Sequence, residues 1–317
     1  MERQGSKVAI VGAGAVGATL AYAGLMRGFA HNVALYDINK SKVEAEALDL
    51  AQGIEFMPDA TVTGSDDVEV CRDADVVVVT AGAKQQPGQS RLDLAGATIS
   101  LMSKVLPPLV NVAPNAIFIL VTNPVDVVTY AALKQTGMSP QQMFGSGTVL
   151  DSSRLRYRVA QECDVAVGNV HAYIAGEHGD SEVALWSSAT IGGVPLMEWP
   201  GADGKPAMTP EKCASIRDEV KDSAYTIIAG KGATNYAIGV AGARIVEAVL
   251  RDQSRVLPVS TLLDWPGAGE VCLSMPAVVG RAGITRRVEV AVNADEAAKL
   301  EASAKSIRAV AEKFGVG

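Results

Sequence analysis

The sequence predicts an α/β protein in two parts, a doubly wound parallel sheet followed by a mixed α+β domain. Three observations carry this. Short apolar, β-branched runs alternate with helical stretches through the first half; the first run ends in a glycine-rich turn; and after FGSGT (144–148) the pattern changes to long helical segments around shorter strand-like pieces. A chain of 317 residues has room for two domains of about 150 residues, each large enough to bury a core. The expected division runs between residues 1–146 and 147–317.

The strand candidates of the first half are KVAIV (7–11), NVALYD (32–37), DADVVVVTAG (73–82) and NAIFILVTNP (115–124), with a helix after each of the first three. Their apolar residues are consecutive, which implies burial on both faces and therefore a parallel sheet covered by helices. In the second half, helices are expected over 210–229, 233–251 and 294–314, with strand-like pieces such as HAYIAG (171–176) and RVLPVST (255–261) between longer elements. Leu300, Ala304, Ile307, Ala311 and Phe314 fall on one stripe of the last helix, so that stripe packs inward. WPGADGKPAMTPE (199–211) reads as a Gly/Pro-rich surface loop.

Composition narrows the function classes. With 48% hydrophobic and 20% charged residues the chain is globular rather than disordered. A net charge of -7 without a Lys/Arg cluster argues against a nucleic-acid partner, which needs a basic face. Apolar runs such as VVVV (76–79) are too short to span a bilayer, so no membrane partner is expected. Cys71, Cys163, Cys213 and Cys272 form no C-x-x-C pair and no ligand cluster with the three histidines, so neither a metal site nor a disulfide framework is expected. MERQGSKVAIVG enters a strand pattern at once, without the basic and apolar regions of a signal peptide. Together these point to the cytoplasm.

The first strand runs into VGAGAVGATLAYAG, which places Gly12, Gly14 and Gly17 in a G-x-G-x-x-G turn that opens a helix. Gly12 permits the tight turn, Gly14 lets backbone approach a pyrophosphate, and Gly17 allows close helix–strand packing; this is the Rossmann dinucleotide fingerprint. The helix N-terminus offers free N–H groups to the phosphates. Asp37 ends the next strand, about twenty residues on. Its carboxylate can accept hydrogen bonds from the adenosine ribose hydroxyls and would repel a 2'-phosphate, so NAD is expected over NADP. An ordinary strand-end Asp is the alternative reading.

Hydride transfer to a carbonyl needs a proton donor beside it and a group that polarises it. Three histidines are available: His31 in the loop FAHN, His171 ahead of AYIAG, and His178 in AGEHGDSE. Chemistry alone leaves the choice open, because a lone histidine is as readily structural.

GAGAVG, AGAKQQPGQSRLDL, VTNPVD, GSGTVLDSSRLR and GEHGD resemble, in order and spacing, the lactate branch of the lactate/malate dehydrogenase family, over about residues 7 to 315. The resemblance implies reversible, NADH-dependent reduction of pyruvate to (S)-lactate in glycolytic fermentation. It makes His178 the general acid/base and Asp151 the carboxylate that orients its ring and favours the imidazolium; Asp151 has a second reading as a helix N-cap before SSRLRYRVA. It makes Arg154 the two-pronged grip on the substrate carboxylate and Arg91 the residue of a closing loop that polarises the carbonyl; either could otherwise be a surface ion-pair residue. Asn123 would reach cofactor or substrate, with a cis bond to Pro124. Val16, Ala81, Gly82, Val121 and Ser146 join the glycines, Asp37 and Asn123 as implied cofactor contacts, and Ile238 is an implied wall for the nicotinamide.

Substrate choice falls on Gln85, six residues before Arg91, where malate dehydrogenases of the family carry arginine. A neutral side chain leaves the second carboxylate of oxaloacetate unpaired at a cost on the order of several kcal/mol. Thr234 matches the lactate-type residue at the substrate's methyl end, while Gln89 departs from the Glu common in this loop. Arg156 and His171 match the fructose 1,6-bisphosphate phosphate site of bacterial members, and a homotetramer is implied. The rival readings are a malate or branched 2-hydroxy-acid dehydrogenase with the same machinery, a non-catalytic NAD-binding sensor, and an NAD-dependent glycosidase, for which the Cys/His metal pair has no counterpart.

Overall fold

The computed structural model describes residues 5–83, 91–202 and 204–315, with backbone only for 91–93. In chain order the elements are β1 (Lys7–Val11), α1 (Ala15–Met26), β2 (Asn32–Tyr36), α2 (Lys40–Gln52), β3 (Thr61–Ser65), β4 (Val76–Val79), α3 (Arg91–Val112), β5 (Ile117–Leu120), α4 (Val125–Thr136) and β6 (Met143–Gly145). They continue with α5 (Val149–Glu162), β7 (Val170–His171), β8 (Ile174–Ala175), β9 (Val183–Ala184), β10 (Thr190–Ile191) and β11 (Val194–Pro195). The chain closes with α6 (Pro210–Lys231), α7 (Tyr236–Leu250), β12 (Arg255–Trp265), β13 (Gly269–Gly280), β14 (Gly283–Arg287) and α8 (Ala294–Lys313).

β1 to β6 pair in parallel in the order β6-β5-β4-β1-β2-β3, the doubly wound arrangement. Burial follows from the continuous apolar runs. Val77 and Val79 of β4 enter one core with Phe118 and Leu120, while Val76 and Val78 enter the opposite core with Val8, Ile10 and Ile119. All four valines of β4 are fully buried, and each contributes about 1.5–3 kcal/mol. β3 (TVTGS) and β6, of three residues, were not expected from hydrophobic pattern: the first is largely polar at a sheet edge, and the second is too short to show a period.

The second half departs further from expectation. Instead of a short piece at RVLPVST there is an eleven-residue strand, β12, paired antiparallel with the twelve-residue β13, and this hairpin and β14 extend the parallel sheet beyond β6 into a sheet of nine strands. Pro258 and Pro276 lie inside these strands although proline donates no ladder bond. They stand directly opposite each other. The Pro258 carbonyl accepts from Thr148 N–H at 3.0 Å and the Pro276 carbonyl from Val288 N–H at 2.8 Å, so both carbonyls point away from the pair. In such a non-hydrogen-bonded pair the missing N–H groups would also face outward, and the β12–β13 ladder loses nothing.

The three late helices fall where expected. Leu300, Ala304, Ile307 and Ala311 of α8 are buried, and Phe314 caps the stripe at its C-terminal end. In the 199–211 stretch, however, Ala207 and Met208 are buried in a core with α5 and α6, and Thr209 caps α6 through Lys212 N–H, so the loop is anchored rather than purely superficial. Among the described residues no helix is long and apolar enough to cross a membrane, and no group of His, Cys, Asp and Glu is placed to hold a metal ion. The four cysteines are free and buried.

Candidate active site

The cofactor side of the site is made of backbone. β1 ends at Val11, and Gly12 turns the chain with φ +99°, a conformation in which a side chain would be strained; a Cβ there would also lie 2.8 Å from Ala81 N. A Cβ on Gly17 would sit 1.9 Å from the Gly12 carbonyl oxygen, so only glycine lets α1 start this close to the turn. Gly14 is different: it is the N-cap of α1, and among the described residues no side chain caps the helix and a Cβ built on it meets nothing within 4 Å. The glycine turn thus opens onto space, with the helix N-terminus exposed to it, which suits a pyrophosphate. Val16, in the first turn of α1, is half-buried against the core beneath.

Asp37 follows β2 and faces this turn. Its Oδ2 accepts from Ala13 N–H at 2.8 Å and its Oδ1 from Asn39 N–H at 2.9 Å, which fixes the carboxylate at the carboxyl end of the sheet. On the other side of β1 the same edge carries Ala81 and Gly82 after β4, and Val121 and Asn123 after β5. Thr122 Oγ1 donates to the Ala81 carbonyl at 2.7 Å and ties these two segments together. Asn123 is exposed and its bond to Pro124 is cis; Ser146, buried after β6, donates its N–H to the Leu120 carbonyl at 2.7 Å. The residues expected to hold a dinucleotide therefore line one edge at the switch point between β1 and β4, where doubly wound sheets bind ligands. Thr234 and Ile238 flank the start of α7, which Asn235 ties to α1 by donating to Thr19 Oγ1 at 2.9 Å.

The other side of the site is made of side chains from separate segments. His178 follows β8, and its Nδ1 lies 2.6 Å from Asp151 Oδ2; Arg154 NH1 donates to Asp151 Oδ1 at 2.9 Å. Asp151 is 3% exposed, Arg154 13% and His178 25%, so the carboxylate is enclosed while the ring reaches an opening. Asp151 is not the N-cap of α5. That place belongs to Thr148, because the helix begins at Val149 and Asp151 is its third residue. This puts Asp151 and Arg154 one turn apart on the same face.

Burial alone would push the His178 ring down, but the charge and hydrogen bond of Asp151, with the charges of Asp126 and Glu182, prevail and raise it to about 9. Burial opposes ionisation of Asp151 as well, yet His178 and Arg154 hold it below the usual carboxylate range. Two carboxylates not singled out by the sequence stand in this cluster. Asp126 Oδ2 accepts the His178 peptide N–H at 2.7 Å. Glu182 has a buried Oε1 with no hydrogen-bond partner among the described residues, and burial and the Asp151 charge push it up to about 8. Asp126 lies in an apolar run, VDVVTYAAL, where a lone carboxylate is the only signal of a polar task.

Arg156 donates its Nε to the carbonyl of Ala172, the residue after His171, at 2.8 Å and stacks on Tyr173 with 4.8 Å to the ring centroid. His171 is exposed on β7, and His31 is exposed away from the cluster. Gln85 and Gln89 lie outside the described residues, as does the side chain of Arg91, which begins α3.

A doubly wound sheet with a glycine turn of the dinucleotide-binding type, together with a histidine–carboxylate–arginine cluster, is the combination a nicotinamide-dependent oxidoreductase requires. The comparisons with known proteins specify which. The family model described as lactate/malate dehydrogenase, NAD binding domain, matches residues 6–145, and the model for the alpha/beta C-terminal domain of the same family matches residues 148–315. The chain is 56% identical over 311 residues to an L-lactate dehydrogenase of Bifidobacterium animalis subsp. lactis, covering 98% of this chain and 97% of that one. It is 44% identical to an L-lactate dehydrogenase of Synechococcus, covering 97% and 99%. Among solved structures, a lactate dehydrogenase from a Medee basin deep-sea metagenome library superposes with TM-score 0.93 at 37% identity, covering 98% of this chain and 99% of that one. The minor L-lactate dehydrogenase of Enterococcus mundtii in a ligands-bound form gives TM-score 0.92 at 37% identity, with 97% and 98% covered. The chain belongs to the lactate/malate dehydrogenase family and is an NAD-dependent oxidoreductase.

Proposed function

We propose that the chain interconverts pyruvate and (S)-lactate as an L-lactate dehydrogenase of glycolytic fermentation. The carrying observation is the 2.6 Å contact between His178 Nδ1 and an Asp151 that Arg154 also holds. NADH, when bound, would supply the hydride. His178, raised to about 9, is an imidazolium at neutral pH and gives its proton to the keto oxygen; in the reverse direction the neutral ring takes the proton of the hydroxy acid. Asp151 fixes the ring so that Nε2 faces the substrate and stabilises the charged form. Arg154 spends one arm on Asp151 and grips the substrate carboxylate with the rest. Arg91 polarises the carbonyl, and Asn123 orients it.

Gln85 and Thr234 favour a methyl group over a second carboxylate. Gly12, Gly14, Val16, Gly17, Asp37, Ala81, Gly82, Val121, Ser146 and Ile238 hold the cofactor, within a cofactor domain of residues 1–146 and a catalytic domain of 147–317. Tyr22, Met26, Tyr236 and Val240, exposed on the packed pair α1 and α7, support assembly into a homotetramer, and Arg156 with His171 a phosphate site for fructose 1,6-bisphosphate. The location is the cytoplasm. The experiment follows NADH oxidation with pyruvate and with oxaloacetate, each with and without fructose 1,6-bisphosphate. Faster turnover of pyruvate is expected. Preference for oxaloacetate would overturn the assignment of Gln85, and rates indifferent to the bisphosphate would remove the effector.

A further inference from the structure

Asp126, the last residue of VTNPVD, has no task in the reaction as proposed above. It is 2% exposed, on the second residue of α4 and three residues after Asn123. A carboxylate in such a place destabilises the fold unless it is hydrogen-bonded. Both its oxygens are. Oδ2 accepts the His178 peptide N–H at 2.7 Å, and Oδ1 accepts Ser274 Oγ–H at 3.2 Å. Ser274 in turn exchanges two backbone hydrogen bonds with Gly176, of 2.9 and 3.0 Å, two residues before His178. Two carboxylates from different helices therefore converge on one residue, Asp151 on the ring and Asp126 on the peptide.

We infer that Asp126 is a positioning residue for proton transfer: pinned by Ser274, it holds the His178 peptide so that the ring gripped by Asp151 presents Nε2 to the substrate, and it links that peptide to the Asn123 turn. The inference rests on His178 as acid/base. A ring held only by Asp151 can pivot about the Nδ1 contact; a second anchor on the same residue's backbone removes that freedom. Misplacement by about 1 Å at such a site can cost about 100-fold in rate.

The carboxylate also bears on the proton affinity of His178, which gives the test a readout that packing alone does not move. Among the described residues, the titratable and charged groups around the ring are Asp151 and Arg154 on α5, Asp126 on α4, Glu177 and Glu182 on its own segment, and Lys221 on α6 beyond Glu182. Burial pushes Asp126 up to about 6, so it is ionised at neutral and alkaline pH, where the limbs are read, and favours the imidazolium there.

The experiment measures kcat and KM for pyruvate and for lactate across pH, with NADH affinity by nucleotide fluorescence, in the full-length enzyme. Asp126→Ala is expected to lower kcat by about 100-fold while the NADH Kd stays within about twofold. Asp126→Asn, whose amide can still accept from the His178 peptide and donate to Ser274, is expected to recover most of that kcat at pH 6. Its loss of charge should move the alkaline fall of pyruvate reduction and the alkaline rise of lactate oxidation down together, by about half to one pH unit. Ser274→Ala, which removes one hydrogen bond to the Asp126 carboxylate, is expected to lower kcat by about tenfold. Wild-type kcat and pH limbs in Asp126→Ala and Asp126→Asn would overturn the inference, and so would kcat losses that track lost NADH binding with unmoved limbs. If Asp126→Ala does not fold, the pH limbs of Asp126→Asn decide. Full turnover by His178→Gln would instead overturn the acid/base reading, whatever the Asp126 variants do.

Discussion

The two halves of the site are built from different materials. The cofactor cradle is backbone: a φ of +99° at Gly12, a carbonyl 1.9 Å from where Gly17 would carry a Cβ, and open space at Gly14. The proton-transfer cluster is side chain, with Asp126, Asp151, Arg154 and His178 drawn from three segments joined only by the fold. Backbone geometry is local, so the cradle is vulnerable to atoms added. The cluster is vulnerable to atoms removed.

The largest effect that tests this contrast is loss of the acid. His178→Gln is expected to lower kcat by a factor between about 10² and 10⁴, the usual range for a positioned general acid, with NADH binding by fluorescence unchanged. Loss of NADH binding in that variant would show that the two halves are not independent. The pH profile sharpens the same point. In the proposed reaction pyruvate reduction uses the protonated ring, whose folded pKa is raised to about 9. Activity is therefore retained on the acid side of that value and falls about tenfold per pH unit above it. A fall centred near the ordinary histidine value would mean that Asp151 does not control the ring.

Adding atoms to the cradle is expected to separate stability from binding. Gly17→Ala forces a Cβ against the Gly12 carbonyl and should cost about 1–3 kcal/mol of stability, read as a lower midpoint in denaturant, together with weaker NADH binding. Gly14→Ala meets nothing within 4 Å and should change stability by no more than about 0.5 kcal/mol, yet weaken NADH by crowding the pyrophosphate. Equal stability losses in the two would contradict the open space at Gly14, and undiminished NADH affinity in Gly14→Ala would mean the pyrophosphate does not approach there.

The same contrast explains what could be read from sequence. Gly12, Gly14, Gly17 and Asp37 are spaced within one strand–helix–strand unit, so pattern alone pointed to the turn that the structure builds there. The buried valines of β4 announced a parallel sheet because both faces are covered. RVLPVST marked part of β12, but the full length of the β12–β13 hairpin and the placing of Pro258 opposite Pro276 depend on a pairing register that no local signal encodes. His178, Asp151 and Arg154 were found through motifs shared with a family, not through spacing, because 27 residues separate Asp151 from His178. Asp126 was missed because a carboxylate inside an apolar run carries no period.

The smallest effect concerns how α5 carries the cluster. Ser152, buried on the helix next to Asp151, accepts the Ile174 N–H at 2.8 Å, and Thr148 Oγ1 donates to the Ile174 carbonyl at 2.6 Å. These bonds fasten the first turn of α5 to β8, the strand that leads to His178. Ser152→Ala leaves the Ile174 N–H unsatisfied in the core, which should cost about 1–3 kcal/mol of stability. The kcat at low temperature should fall no more than a few-fold, because Thr148 still holds the strand. A drop in kcat as large as that of His178→Gln, with little change in stability, would mean that α5 and β8 have no second fastening and that the cluster depends on this one hydroxyl.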